Sequence, residues 1–130
     1  MKQSFSIVAA FSLTACATVP AAAPIRTDGL AAIGQSTQAG PFVVTPRVVV
    51  EDSRCPINAR CVWAGRLRLK ADVSFHGGSQ QLGTILTLGE PLALAGGKLV
   101  LVSAEPGKLA GSPPSPPASL FGFEARQAPR

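Results

Sequence analysis

The side chains with the widest chemical options in this 130-residue chain are three cysteines and a single histidine. Cys55 and Cys61 flank a five-residue interval within the stretch EDSRCPINARCVWAG, at positions 51–65. A zinc site needs about four ligands, a thioredoxin-type redox pair has the spacing Cys-x-x-Cys, and haem attachment requires Cys-x-x-Cys-His. The chain lacks all three patterns, so we expect no metal and no other cofactor. The remaining interpretation, a structural disulfide, depends on the compartment of the protein.

No constellation of catalytic side chains is visible. His76 is followed by two glycines and is expected in an exposed turn. The serines lie in turns or in a proline-rich stretch, without the sequence of a nucleophile elbow. The seven carboxylates are scattered along the chain. We therefore predict that the protein is not an enzyme.

The N-terminus indicates export. Lys2 precedes an apolar run over 5–13, which is typical of a secretory signal and shorter than the roughly 20 residues of a membrane span. The sequence Leu13-Thr14-Ala15-Cys16 then resembles the lipobox of bacterial lipoproteins. The resemblance implies that the signal peptide, residues 1–15, is removed and that Cys16 is lipidated. The alternative is an ordinary signal cut after Ala17, with Cys16 incidental.

Export has two further consequences. An oxidising compartment favours pairing of Cys55 with Cys61, since lipidation removes Cys16 from the count. In lipoproteins of many Gram-negative bacteria an aspartate after the lipidated cysteine favours the inner membrane, so Ala17 implies the periplasmic face of the outer membrane. Residues 16–29 are rich in alanine and proline and predict a lipid-anchored tether of some 30–40 Å at most.

Residues 30–126 predict a single β-domain, followed by a frayed tail at 127–130. In the clearest segment, from Val62 to Phe75, apolar residues alternate with charged or polar ones over the ten residues that begin at Arg66. Leu82, Thr84, Leu86 and Leu88 are expected on one face of the returning strand. Seven strands are predicted at 30–37, 42–51, 62–75, 80–88, 91–95, 98–103 and 120–126, with Pro46 marking an edge or a bulge. We predict an all-β fold, a small antiparallel immunoglobulin-like β-sandwich with a Pro-rich loop at 106–119; the alternative is a small β-barrel.

The cysteine segment also carries a family resemblance. Asp52-Ser53-Arg54-Cys55-Pro56, followed after four residues by Cys61-Val62-Trp63-Ala64-Gly65, resembles a motif of small bacterial lipoproteins and secreted proteins of uncharacterised function. The Leu88–Pro91 turn and the closing Phe121-Gly122-Phe123 strand match the same pattern. The resemblance implies a lipoprotein of this DSRCP-x4-CVWAG type and supplies no activity.

Candidate recognition residues are Asp52, Arg54, Asn58 and Trp63. We interpret Trp63 as a core residue packed on the disulfide; the alternative is a hot spot for binding. Asp52 and Arg54 either pair at the mouth of the loop or are solvated. The Arg66, Arg68, Lys70 stripe is interpreted as the wet face of a sheet, and as a partner-binding face in the alternative.

These features predict a non-catalytic, lipid-anchored envelope protein that binds or braces through a disulfide-stiffened loop. The alternative is an inhibitor of a periplasmic or secreted hydrolase. The expected partners are the membrane, through the N-terminal anchor, and an envelope protein. The net charge of +5 is spread out rather than clustered, so no nucleic-acid partner is expected.

Overall fold

The computed structural model describes residues 15–21, 23–75, 78–107, 110–111 and 119–127. Within them the chain forms eight strands: β1 (Leu30–Ala32), β2 (Thr37–Ala39), β3 (Phe42–Asp52), β4 (Leu67–Phe75), β5 (Gln80–Thr87), β6 (Leu92–Leu94), β7 (Gly97–Glu105) and β8 (Leu120–Arg126). These residues form no helix, and thus none of a length and hydropathy that would cross a bilayer.

The strands form two antiparallel sheets of four strands each, in the orders β2-β3-β4-β5 and β1-β8-β7-β6. The chain changes sheet between β1 and β2 and again between β5 and β6, and the sheets do not close on each other. The predicted β-sandwich is therefore confirmed and the barrel alternative is not. The strand order is simpler than the Greek key of immunoglobulin domains, because consecutive strands pair as meanders and only β1 joins a distant strand.

The core lies between the two sheets and follows the alternation in the sequence. In β4, Leu67, Leu69, Ala71 and Val73 are fully buried, whereas the residues between them are partly or fully exposed. The facing sheet contributes buried residues from β7 and β8, namely Leu99, Leu101, Phe121 and Phe123. Each large apolar side chain buried in this way stabilises the fold by about 1.5–3 kcal/mol.

Three predicted strands differ from the structure by more than one residue at an end. The segment 30–37 is not one strand but two, because the chain passes from one sheet to the other at a turn after Ala32. The segment 62–75 becomes a strand only at Leu67. The strand predicted at 98–103 instead runs from Gly97 to Glu105.

Two bulges change the faces that residues occupy. The register of β3 shifts between Pro46 and Val48, so the bulge predicted at this proline is confirmed. In β5 the pairing shifts opposite Ala71 and Val73, and Gly83 adopts a φ of 67°. This bulge changes the phase of the strand, so Leu82 is 72% exposed while Leu86 is buried. The expectation that these leucines share one face is therefore wrong.

The described fold begins before Leu30. The Arg26 N–H donates to the Ser36 carbonyl at 2.9 Å, and the Gln38 N–H donates to the Arg26 carbonyl at 2.8 Å. Hydrogen bonds from the Arg26 side chain and from the Leu30 N–H hold the pKa of Asp28 at about 2. The C-terminal part of the predicted tether is thus joined to the domain. Most of the predicted signal peptide, His76 and most of the Pro-rich loop lie outside the described residues.

Candidate functional site

The segment that carries the candidate recognition residues is the connection from β3 to β4, residues 53–66, called the disulfide loop here. All ten residues from 57 to 66 are exposed. At its base the Ser53 N–H donates to the Arg66 carbonyl at 2.8 Å, and the Arg66 N–H donates to the Ser53 hydroxyl at 3.1 Å. The Cys55 N–H donates to the Ala64 carbonyl at 3.1 Å. The loop is therefore a projection whose base continues the pairing of the two strands.

The predicted disulfide closes the tip of this projection. Cys55 and Cys61 are bonded, with their Cα atoms 5.8 Å apart. Within the ring the Ala59 N–H donates to the Pro56 carbonyl at 3.1 Å, which forms a turn after the proline. In the chain-entropy description a ring of this size stabilises the folded state by about 2 kcal/mol. The crosslink thus restricts the loop more than it supports the core.

Gly65 allows the two limbs of the loop to approach. It has a φ of 66°, a left-handed conformation that glycine adopts without steric cost. A Cβ atom at this position would lie 1.8 Å from the Ser53 carbonyl oxygen. The glycine that follows Trp63 and Ala64 in the sequence motif is therefore a requirement of the loop conformation.

Asp52 and Arg54 form an ion pair beneath the loop. The guanidinium donates through Nε and Nη2 to the two carboxylate oxygens at 2.9 and 3.0 Å, a fork-like geometry that favours arginine. The Asp52 side chain is 1% exposed and that of Arg54 is 19% exposed. Arg54 Nη1 also donates to the Ala104 carbonyl at 3.4 Å. The structure supports the interpretation that Asp52 and Arg54 pair. The hydrogen bond from Arg54 to Ala104 links the base of the loop to β7.

Asn58 supports the loop from the side. Its side-chain oxygen accepts a hydrogen bond from the Ala110 N–H at 2.9 Å, in the connection between β7 and β8. Ile57 lies beside Gly107 of the same connection, since a Cβ atom on that glycine would be 3.3 Å from Ile57 Cγ2. Although Asn58 is exposed as a residue, its carbonyl oxygen is engaged in holding the loop against the second sheet.

Trp63 is not a core residue. Its relative exposure is 81%, so the interpretation that it packs on the disulfide or under the loop is wrong. Val62 and Ile57 are 91% and 75% exposed. Regular strand structure begins only at Leu67, and isolated hydrogen bonds join the two limbs of the loop before it, so these residues do not alternate into the core. The loop therefore presents one aromatic and two aliphatic side chains to solvent.

The charged side chains at the base of the loop form ion pairs, whereas the one at its tip does not pair with a described residue. Arg66 Nε contacts both oxygens of Glu51 at 3.0 and 3.1 Å, and Arg68 approaches the same carboxylate at 3.6 Å. The hydrogen bond from Arg66 lowers the pKa of Glu51. Exposed Arg60, at the tip, makes no ion pair with any described residue.

The Arg66, Arg68, Lys70 stripe therefore has mixed character. Its first two members share the single negative charge of Glu51, whereas Lys70 is exposed opposite Val48 on the outer face of the sheet. This arrangement matches the wet face of a sheet more closely than a continuous basic surface.

The opposite end of the sandwich holds a cavity of about 290 Å³, lined by Pro41, Phe75, Ser79, Ala95 and Gly96. None of these described lining residues has a side chain that titrates near neutral pH. In the described part of the chain, no group of three or more potential metal ligands is present. Cys16 is described as an exposed free thiol.

Sequence reasoning selected only part of the loop surface. It identified Trp63 and Asn58, which are exposed, together with Asp52 and Arg54, which lie beneath the loop. It missed the exposed side chains Ile57, Arg60 and Val62. A seven-residue disulfide ring is too small to bury its own side chains, and this signal would have found Ile57 and Arg60 within the ring; Val62 follows directly after it.

Comparison of the chain with protein-family models gives no match, and comparisons with curated proteins and with solved structures give no significant similarity.

Proposed function

We propose that this protein is a non-catalytic, lipid-anchored protein of the bacterial cell envelope that binds a partner through its disulfide loop. The observation that carries the proposal is the exposure of Trp63, Val62 and Ile57 together on one projection. Large apolar side chains grouped in this way mark interaction sites, whereas single exposed apolar residues are ordinary.

The contacts that hold the loop in place strengthen this interpretation. The disulfide, the Asp52–Arg54 pair and the Asn58–Ala110 hydrogen bond hold it from three directions. A loop ordered before it meets its partner loses less conformational entropy on binding. Trp is also enriched among the residues that contribute most to binding. The arrangement thus suits recognition more than passive packing.

The proposed location and lipid anchor of the protein rest on its sequence. The resemblance of residues 13–16 to a lipobox supports lipidation of Cys16, and Ala17 supports the periplasmic face of the outer membrane. Two or more acyl chains anchor a protein stably, whereas one chain binds only marginally. The intact mass of the protein from a bacterial host tests this: we expect acyl chains on Cys16, and a mature chain beginning at Thr18 would contradict the proposal.

The binding role is tested by photo-crosslinking in living cells. Position 62 is suited to the photoreactive residue because Val62 is the most exposed of the three apolar side chains and makes no described hydrogen bond. Position 58 is less suited, since Asn58 holds Ala110. Position 82 on β5 is the control, because Leu82 is also apolar and 72% exposed. We expect a discrete adduct from position 62 and none from position 82; the reverse pattern would contradict the proposal.

One observation favours the alternative function, in which the protein inhibits a hydrolase. Trp63 and Asn58 are exposed on the same projection, as a loop that fills an active-site cleft requires. The protein would then lower a hydrolase activity of a periplasmic extract, and Trp63→Ala would restore that activity. An extract unaffected by the protein would exclude the inhibitor and leave the binding role in place.

A further inference from the structure

The shape of the disulfide loop restricts its partner. Every residue from 57 to 66 is exposed, so the loop projects from the sandwich. A protein partner would need a cavity that matches a rigid projection, whereas the interface of a bilayer rearranges around one. The projecting shape of the loop is therefore suited to a lipid surface.

The side chains at the tip have the chemistry of a membrane interface. Tryptophan is enriched where hydrocarbon meets headgroups, because its ring is apolar and its N–H is polar. Val62 and Ile57, which are 91% and 75% exposed, add aliphatic surface to the same loop. In the described strands and turns from Leu30 onward, Leu82 is also 72% exposed, whereas the other exposed large apolar residues outside the loop are less than half exposed, namely Ile33, Val48, Val50 and Val102.

The charges select the type of lipid. Residues 53–66 contain Arg54, Arg60 and Arg66 and no carboxylate. The carboxylates at the base are bound, Asp52 by Arg54 and Glu51 by Arg66. The tip therefore carries one cation, Arg60, without an acidic residue beside it in the loop, on a chain of net charge +5. A surface of this kind is attracted to anionic headgroups, by about 1 kcal/mol for each cation near them.

We propose that the partner of the disulfide loop is the surface of an anionic phospholipid bilayer, with Trp63, Val62 and Ile57 entering the headgroup region and Arg60 contacting lipid phosphates. This inference rests on the proposed function, since it names the partner of the same loop. The acyl chains on Cys16 hold the protein at the membrane, and the loop is the second contact, which orients the domain.

The chain provides its own probe. Trp63 is the sole tryptophan and tyrosine is absent, so the intrinsic emission reports on the loop and not on the anchor or signal segment. The mature, lipidated protein is reconstituted with vesicles of phosphatidylglycerol and phosphatidylethanolamine, or with vesicles of phosphatidylcholine alone. We expect a blue shift of the emission and strong quenching by brominated acyl chains in the anionic vesicles, and a much smaller change in the neutral ones.

Two charge reversals test the contact. Arg60→Glu changes the charge at the tip by two units and should lower the equilibrium ratio of inserted to solvated Trp63 by roughly thirtyfold. Lys98→Glu makes the same change on an exposed residue near the opposite end and should alter it by less than about threefold. Equal effects of both variants would reduce the inference to a general attraction between charges and overturn it.

Other outcomes separate this inference from the function on which it rests. If Trp63 keeps the emission of a solvated indole while the protein floats with anionic vesicles, the bilayer is not the partner. A protein adduct from position 62 in cells, together with that result, would overturn the lipid partner and retain the binding role. No insertion and no adduct would overturn both.

Discussion

Aromatic side chains at the two ends of the sandwich occupy opposite environments. At the end formed by the β2–β3, β4–β5 and β6–β7 turns, Phe42 is fully buried and its ring meets Phe75 edge to face, with centroids 5.3 Å apart. At the other end Trp63 is 81% exposed. The difference follows from the backbone: Phe42 and Phe75 are paired residues of two strands, whereas Trp63 lies on a crosslinked loop beyond the end of the pairing.

The comparison teaches where stability and binding capacity reside. The turn end buries Phe42 completely to complete the core, while Phe75 is partly buried and lines the cavity there. The loop end keeps its aromatic surface in solvent and is held by polar contacts, a disulfide and one glycine conformation. Substitutions at the two ends should therefore affect different properties, and the following predictions proceed from the largest expected effect to the smallest.

The sharpest contrast is between Phe42→Ala and Trp63→Ala. Removing the buried ring should lower the free energy of unfolding by about 4 kcal/mol, through lost burial and a new cavity. Removing the exposed indole should change it by less than about 0.5 kcal/mol. Urea unfolding followed by circular dichroism measures both, since Trp fluorescence is lost in the second variant. A large loss for Trp63→Ala would show that this side chain is part of the core.

The second contrast compares two glycines. Gly65→Ala should lower the free energy of unfolding by about 3 kcal/mol, because the methyl group would meet the Ser53 carbonyl in a left-handed backbone. Gly96→Ala, in the β6–β7 turn, has a φ of 90° and no heavy atom within 4 Å of the new methyl group, so only the backbone cost of about 1–2 kcal/mol applies. Equal losses would mean that the limbs of the disulfide loop separate easily.

The third prediction concerns the disulfide. The double variant Cys55→Ala, Cys61→Ala should lower the free energy of unfolding by about 2 kcal/mol, since the crosslink closes only a short ring. Hydrogen exchange should increase at the Cys55 and Ala59 amides and remain unchanged in β7 and β8. Loss of protection throughout both sheets would show that the disulfide supports the core and contradict a local role.

The smallest effect is the response to acid. The hydrogen bond from Arg66 lowers the pKa of Glu51, and hydrogen bonds from the Gly83 N–H and then from Arg47 lower that of Asp72. Because the unfolded chain binds protons at the ordinary values of 4.5 and 3.8, the stability from these groups is present above that range and declines as the pH falls through it. Glu51→Gln should flatten this decline in thermal unfolding between about pH 5 and pH 2. An unchanged slope would contradict the role of the Glu51–Arg66 pair.

The sandwich itself was predictable because period-two alternation is a local property. The sequence of β4 assigns its buried face residue by residue, and the glycine-rich turns mark where strands reverse. The phase of β5 was not predictable in the same way, since the bulge at Gly83 depends on its pairing with β4 and on the hydrogen bond from its N–H to Asp72. Leu82 therefore lies on the solvent side, although its spacing places it in phase with Leu86.

The candidate site also combines features that the local sequence predicts with features that depend on tertiary contacts. Cysteine spacing and the signals for export were sufficient to predict the Cys55–Cys61 bond, because a short ring with a proline and an asparagine closes without help from the rest of the fold. Only the tertiary structure decided that Asp52 is buried beneath Arg54 and that Asn58 binds the β7–β8 connection, because these partners come from strand ends and from a distant segment. The exposure of Trp63 was likewise decided there: the type of a residue does not reveal whether a sheet ends before it or after it.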